Sequence, residues 1–444
     1  MILALILFVI TYALMLAFPK YRPIIALTSG AAFTLLGCFG VYDMGVADAL
    51  AAIDLNVLMM IGGTMGIVTL FVDSRMPARL AELLIARVPD VRWAVTALAL
   101  FAGIISAFVD NVATVLMVAP IGLEISRQLK ISPVPVLIAI AVSSNLQGAA
   151  TLVGDTTSIL LGGFAGMNFF DFFVMDGKPG LFFGVELGAL ASVGVLLFLF
   201  RRDTQRVSAR VKTEVTDLFP SALMAGTVAL LIAASFLPAP APGSALHTVY
   251  SLRSGLICLT LCVVGVVRAC VRRGDLSMVG RVIRDLDTDT LLLLVGLFVV
   301  IRGITAAGVI DAAAGLFHRA AGDSPFLLYT LLVFASVALS AFIDNIPYVA
   351  TMLPVVQGVA ALMNGGEGLA PHVFYFGLLT GATLGGNLTP IGASANIAAI
   401  GILRRHGETV SVKDFLRIGV PFTLAAVLAG YAYIWWVWGT PCSW

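Results

Sequence analysis

"SAFVDNVATVLMVAPI", residues 106–121, sets an aspartate and an asparagine, Asp110 and Asn111, inside an otherwise apolar stretch. "SAFIDNIPYVATMLPV", residues 340–355, does the same with Asp344 and Asn345. A carboxylate in such a run is costly unless something fixes it there. The chain around these stretches has 444 residues, 60% of them hydrophobic and only 11% charged, and its mean hydropathy is +1.03. No soluble domain needs that much apolar surface, so the composition predicts an all-α polytopic membrane protein in a lipid bilayer. The net charge of +1 says nothing about partners and gives no sign of nucleic-acid binding.

Apolar runs predict spans at 1–18, 23–42, 54–73, 182–200, 220–237, 250–267, 290–310 and 417–438. Met1 to Phe18 lacks the basic start and cleavage site of a signal peptide and reads as the first span. Segments 134–163 and 373–402 are interrupted by Gly and Pro, and 94–126 and 326–362 are each too long for one crossing. Basic residues cluster at Lys20 and Arg22, at Arg75 to Arg92, at Arg127 and Lys130, and through Arg201 to Lys212, including Arg210. They recur at Arg268 to Arg284 and at Arg404 and Arg405, whereas loops 43–53 and 238–249 contain no Lys or Arg. Basic loops belong on the cytoplasmic side, which places both termini outside.

With that orientation, 94–126 begins and ends inside and 326–362 begins and ends outside. Each is therefore expected to be a re-entrant hairpin folded at its Asp-Asn tip, which is tolerated only where protein or a cavity surrounds it. Residues 1–200 and 220–438 then form two inverted repeats, each with five spans and a hairpin, joined by a cytoplasmic linker at 201–219.

Ser106 and Asp110 share a helix face at four-residue spacing, as do Ser340 and Asp344. A helix ending at each tip leaves carbonyls unpaired. With the carboxylate, the amides of Asn111 and Asn345 and the hydroxyls, these make an oxygen cage for a small cation. The N-terminal amides of the second arm are expected to face an anionic or polar ligand. Each tip also reads as a polar turn closing a hairpin, but recurrence in both halves favours the cation site.

Gly148, Thr151 and Gly154 of "GAATLVGDTTS" match Gly386, Thr389 and Gly392 of "GNLTPIGASAN" at identical spacing. Glycine lets a tip approach closely, and Pro390 prevents a continuous helix. Polar Asp155, Thr156, Thr157, Asn387 and Asn396 cluster at the breaks, and Asn145 and Ser394 flank them. Asp155 has no counterpart, since Ala393 stands in the second half. It reads either as a helix cap before Thr156 or as a carboxylate that exchanges a proton for a cation. Arg302 either pairs with one of these aspartates, faces an anion or snorkels to the interface. The histidines all read as loop residues, and Trp435, Trp436, Trp438 and Trp444 as an interfacial belt. The five cysteines, Cys38, Cys258, Cys262, Cys270 and Cys442, form no metal-ligand spacing.

At the Asp-Asn tips and the two Gly-rich breaks, the chain resembles the ion transporter superfamily. Within it, it is most similar to the group of arsenite permeases, D-type sodium/proton antiporters and the melanosomal P protein, with a citrate-transporter-like domain. The resemblance covers nearly the whole chain. It implies a homodimer with an elevator mechanism: scaffold spans 1–73 and 220–310, and transport elements 94–200 and 326–438. It also implies one sodium site at Ser106, Asp110, Asn111 and Gly154, and another at Ser340, Asp344, Asn345 and Gly392. Citrate and dicarboxylate symporters of the superfamily carry Ser-Asn-Thr at the tips, where this chain has Asp110-Asn111-Val112 and Asp344-Asn345-Ile346.

The expectation is a secondary transporter of a bacterial-type inner membrane, coupled to Na+ or H+ and without a cofactor. Its cargo is a small inorganic species such as arsenite or antimonite, or Na+ exchanged for H+. A passive anion channel and a di- or tricarboxylate symporter are the alternatives. No nucleophile–base pair, metal cluster or nucleotide loop supports an enzyme.

Overall fold

The computed structural model describes residues 1–129, 131–207, 213–241, 243–363 and 371–439. Lys130, Arg210, Lys212, Cys442 and Trp444 lie outside them. The first half runs α1 (Ile2–Ala17), α2 (Arg22–Cys38), α3 (Val46–Ala51), α4 (Leu55–Asp73), α5 (Met76–Ile85), α6 (Val91–Ser106), α7 (Asn111–Leu129), α8 (Pro133–Gly148), α9 (Thr156–Ala165) and α10 (Leu181–Leu199). The second runs α11 (Phe219–Ser235), α12 (Ala245–Ser251), α13 (Arg253–Arg273), α14 (Ser277–Asp285), α15 (Thr288–Ala306), α16 (Val309–Ala321), α17 (Pro325–Ser340), α18 (Asn345–Leu362), α19 (His372–Gly385), α20 (Ser394–Arg405) and α21 (Val412–Trp438).

Both Asp-Asn stretches separate two helices, α6 from α7 and α17 from α18, and both Gly-rich motifs separate α8 from α9 and α19 from α20. The short helices α3, α5, α12, α14 and α16 occupy segments that read as connections or span ends. All but α12 bury one face only, as α5 does with Pro77, Ala81 and Ile85, and α12 has no buried residue among those described, so no long apolar run announces them. His247, His318 and His372 likewise lie in helices rather than loops, and His372 packs on Trp438. Trp438 is buried, with Nε1 donating to the Pro179 carbonyl at 3.1 Å, so only part of the tryptophan group faces outward.

Asp54, Asp90 and Asp287 start α4, α6 and α15 by accepting backbone N–H bonds from Val57, Trp93 and Thr290. Such caps are worth about 1 kcal/mol each. The helices then pair across the halves: α2 packs on α15, α4 on α13, and α10 on α21. At the centre, α8 and α19 are buried on nearly every face, as helices apolar all round must be. α8 touches α6, α7, α20 and α21, while α19 touches α17, α18 and α21.

Glycine sets the closest approaches. A Cβ on Gly63 of α4 would lie 2.5 Å from the Cys258 carbonyl carbon, and one on Gly296 of α15 would lie 2.4 Å from that of Ala26. Buried Cys258 and Cys262 are thus packing residues of α13, Cys262 filling the space beside Gly66. On the linker side, Asp217 accepts from Arg268 at 2.5 Å and pairs with Arg272 at 2.8 Å. The hydrogen bond from Arg268 holds the Asp217 carboxyl down at about 2.

Gly63→Ala and Gly296→Ala are expected to destabilise by about 1–3 kcal/mol through overpacking. Gly62→Ala is the control, since nothing lies within 4 Å of its added methyl. Melting of the purified protein in detergent checks this, with Gly62→Ala at or above the parent value.

Candidate transport site

The hairpin tips are built from helix ends. α6 stops at Ser106 and α7 restarts at Asn111, because Asp110 accepts the backbone N–H groups of Val112 at 2.9 Å and Ala113 at 3.2 Å. Asp344 caps α18 in the same way through Ile346 at 3.2 Å. The first amides of the second arms therefore face the protein's own carboxylates. The expectation that they face a ligand fails at those positions, because an Asp at the N-cap position satisfies them locally.

Each tip sits in the helix break of its own half. The Thr151 hydroxyl donates to the Ala107 carbonyl, and the Thr389 hydroxyl to the Ala341 carbonyl. Gly154 faces the carbonyl oxygens of Gly148, Ala107 and Ser106, which a Cβ there would meet at 2.5, 2.7 and 2.7 Å. Gly392 faces those of Gly386 and Ala341 at 2.6 and 2.9 Å. Ser106 Oγ and Asn396 Oδ1 are buried with no hydrogen-bond partner. Ser340 Oγ has one proton but lies 2.5 Å from Asn345 Oδ1 and 2.6 Å from the Ala382 carbonyl oxygen. At the second tip oxygens thus outnumber the hydrogens available to them, and at the first the Ser106 hydroxyl and three carbonyls lie together, a donor set that suits a hard cation. Among the described residues no three Asp, Glu, His or Cys side chains converge as a metal-ligand group, so carbonyls and amides would supply most of any coordination.

A buried amide ladder joins the halves. Asn111 Nδ2 donates to Asn145 Oδ1 at 2.9 Å, and Asn145 Nδ2 donates to Asn387 Oδ1 at 3.0 Å and the Thr383 carbonyl at 2.7 Å. Asn387 Nδ2 in turn donates to the Val142 carbonyl at 2.9 Å. Asn396 Nδ2 braces the second break through the Gly386 and Thr389 carbonyls. Asn145, Asn387 and Asn396 therefore stand behind the tips. Asp155 occupies the N-cap position of α9 but makes no cap bond; its Oδ2 accepts from the Thr157 hydroxyl at 2.6 Å. Asp155 is therefore not a side-chain cap of α9.

A cavity of about 40 Å³ lies between the tips. Asp110, Asp155, Asp287 and Asp344 line it with Asn111, Asn345, Thr156, Thr290 and Ser394. A second cavity of about 480 Å³ also reaches Asp110 and Asp287 and is lined by Thr64, Thr69, Asp73, Arg281, Asp285 and apolar side chains. Asp287, Thr290 and Arg22 are absent from the sequence-derived set. Arg22 donates to Asp344 Oδ2 at 2.9 Å. Arg22 reads in the sequence as one of the basic loop charges, Asp287 belongs to no motif, and the signal each offers is its place just ahead of an apolar span. Arg302 pairs with Asp48 at 3.3 Å, both side chains over 40% exposed, so it does not serve the tip aspartates.

A sequence profile of the citrate transporter family matches residues 5–381. The chain belongs to the citrate transporter family. Proteins similar to it include an uncharacterized transporter of Mycobacterium tuberculosis, 30% identical over 98% of both chains. The P protein of Homo sapiens is 25% identical over 77% of this chain and 48% of its own length. Among solved structures, the YdaH transporter of Alcanivorax borkumensis matches with a TM-score of 0.58 at 15% identity, covering 95% of this chain and 98% of that one. MtrF of Neisseria gonorrhoeae, from a class of antimetabolite efflux pumps, matches with a TM-score of 0.58 at 15% identity, covering 91% and 84%. These two share the fold. Family membership makes the chain a multi-pass membrane transporter of the secondary type and not an enzyme.

Asp110→Asn and Asp344→Asn each remove a charged oxygen while keeping shape. Each is expected to cut coupled flux about 10- to 100-fold, the equivalent of a charged hydrogen bond worth about 1.5–3 kcal/mol. Gly154→Ala should do the same by thrusting a methyl among three carbonyls. Flux in proteoliposomes, measured beside melting in detergent, separates loss of function from loss of fold.

Proposed function

We propose that this member of the citrate transporter family is a secondary transporter coupled to Na+ or H+, with the cation handled at the two hairpin tips and a small inorganic cargo. One observation carries the reading: four carboxylates line the cavity between the tips, and only Asp344 of the four is paired with a guanidinium, that of Arg22, among the described residues. Such a lining attracts cations and repels free anions. A neutral metalloid such as arsenite or antimonite, or Na+ exchanged for H+, suits it. Citrate, the substrate in the family's name, would have to enter with cations that mask its charge. The likeness to the P protein keeps a passive channel as the competing reading.

Reciprocal packing supports two inverted repeats. α2 on α15 answers α13 on α4, α6 on α8 answers α17 on α19, and α7 on α20 answers α18 on α9. That is the pattern a twofold exchange of halves generates. The reading keeps the hairpins and broken helices as one moving unit against a scaffold of the first three spans of each half, in a homodimer of the plasma membrane with both termini outside.

The test is flux in proteoliposomes with arsenite, 22Na+ and citrate under separately imposed Na+ and pH gradients. Uphill movement of one solute driven by one gradient is expected; movement that only ever runs downhill would leave a channel. Asp155→Ala copies the second half's Ala393 and is expected to keep melting intact while displacing the pH profile of flux across about pH 5.5–8.5. An unchanged profile with a lowered melting point would make Asp155 structural. For orientation, cysteines at Ser244 and Arg273 should label from opposite sides of the membrane.

A further inference from the structure

We propose that Arg22 is a tethered counter-cation of the second hairpin tip, one that an incoming cation must displace from Asp344. The inference rests on the cation-coupled reading above. Arg22 opens α2, whose partner is α15, and its Nε donates to the Met15 carbonyl at 3.2 Å. Its Nη1 donates to Asp344 Oδ2 at 2.9 Å, with the two side chains only 20% and 12% exposed. The arginine therefore belongs to the α1–α2 corner, outside the hairpin it touches.

The division of labour within Asp344 is specific. Oδ1 accepts the Ile346 N–H and starts α18. Oδ2 is the oxygen left to face the cavity, and Arg22 holds it, with the Ser394 hydroxyl at 3.4 Å. The first tip is built differently. Among the described residues no Lys or Arg lies within ion-pair distance of Asp110, and its charged neighbours in the cavity are Asp155, Asp287 and Asp344. The two tips are thus unequal: one carboxylate is open to a cation, the other already carries one.

A guanidinium and a metal cation cannot share the same carboxylate oxygen without strong repulsion. Binding at the second tip is therefore exchange, and apparent affinity is reduced by the fraction of time Arg22 occupies Asp344. When the tip is empty the pair spares the membrane interior a lone charge. When it is filled the pair is broken and the hairpin is released from the α1–α2 corner.

The experiment measures melting of the full-length purified protein as NaCl replaces choline chloride at constant ionic strength, which removes general screening effects. Na+ that binds only the folded state stabilises it by RT ln(1 + c/Kd) at free concentration c, so the melting point begins to climb once c exceeds Kd. Arg22→Gln is expected to lower the Na+ concentration at which the melting point begins to climb by about tenfold relative to the parent. Arg22→Lys, which keeps the charge at shorter reach, should fall between them and serves if Arg22→Gln does not fold. The double change Arg22→Gln with Asp344→Asn should abolish the gain. A Na+ response that is lost in Asp344→Asn but equal in the parent, Arg22→Gln and Arg22→Lys overturns the inference and leaves the cation reading standing. No response to Na+, Li+ or K+ in any of these proteins sinks the metal-cation reading of the tips, and the inference with it.

Discussion

Backbone carbonyls at the end of a helix need partners, and in an apolar interior water does not supply them. This constraint governs the centre of the molecule. The chain interrupts four helices there, and the exposed carbonyls of each tip are brought against a broken helix of the same half. Thr151 and Thr389 each answer one carbonyl with a hydroxyl, while Gly154 and Gly392 bring the rest within reach by carrying no side chain. The interruption that would otherwise destabilise the core becomes a set of oxygens pointing at one place.

That arrangement also explains why the neighbouring helices are so completely buried. α8 and α19 hold the breaks and are enclosed by the hairpins and by α21. The amide ladder from Asn111 through Asn145 to Asn387 crosses from one half to the other inside this shell. Each amide there has its partner, so the ladder adds rigidity without leaving a buried polar group unpaired. The tips are consequently fixed relative to each other even though they lie more than 200 residues apart in the chain.

Charge rather than shape then narrows the chemistry. A cavity lined by four carboxylates, one of them already paired with Arg22, differs from one built to grip a free polyanion. The asymmetry between halves falls in the same place: Asp155 faces no counterpart carboxylate across the repeat, and Arg22 answers Asp344 but not Asp110. Two structurally matched tips are thereby made electrostatically unequal.

The sequence alone determined the helices, the interruptions and most of the oxygen-bearing residues. Long apolar runs force helices in a bilayer, and a repeated polar motif inside such runs can persist only where the helix stops. Ser106, Asp110, Gly154 and their partners in the second half were legible for that reason. The short one-faced helices were not, because α5 and α16 bury too few residues to leave an apolar run. Nor was the role of Asp155 decided locally: its position is that of a cap, but the Thr157 hydroxyl takes its oxygen instead. Arg22 and Asp287 look like ordinary charges at the ends of spans. Only the packing of α2 and α15 beside the hairpins carries them to the tips, since ion pairing acts through distance in space, and the sequence holds no record of which distant helix end a charge will meet.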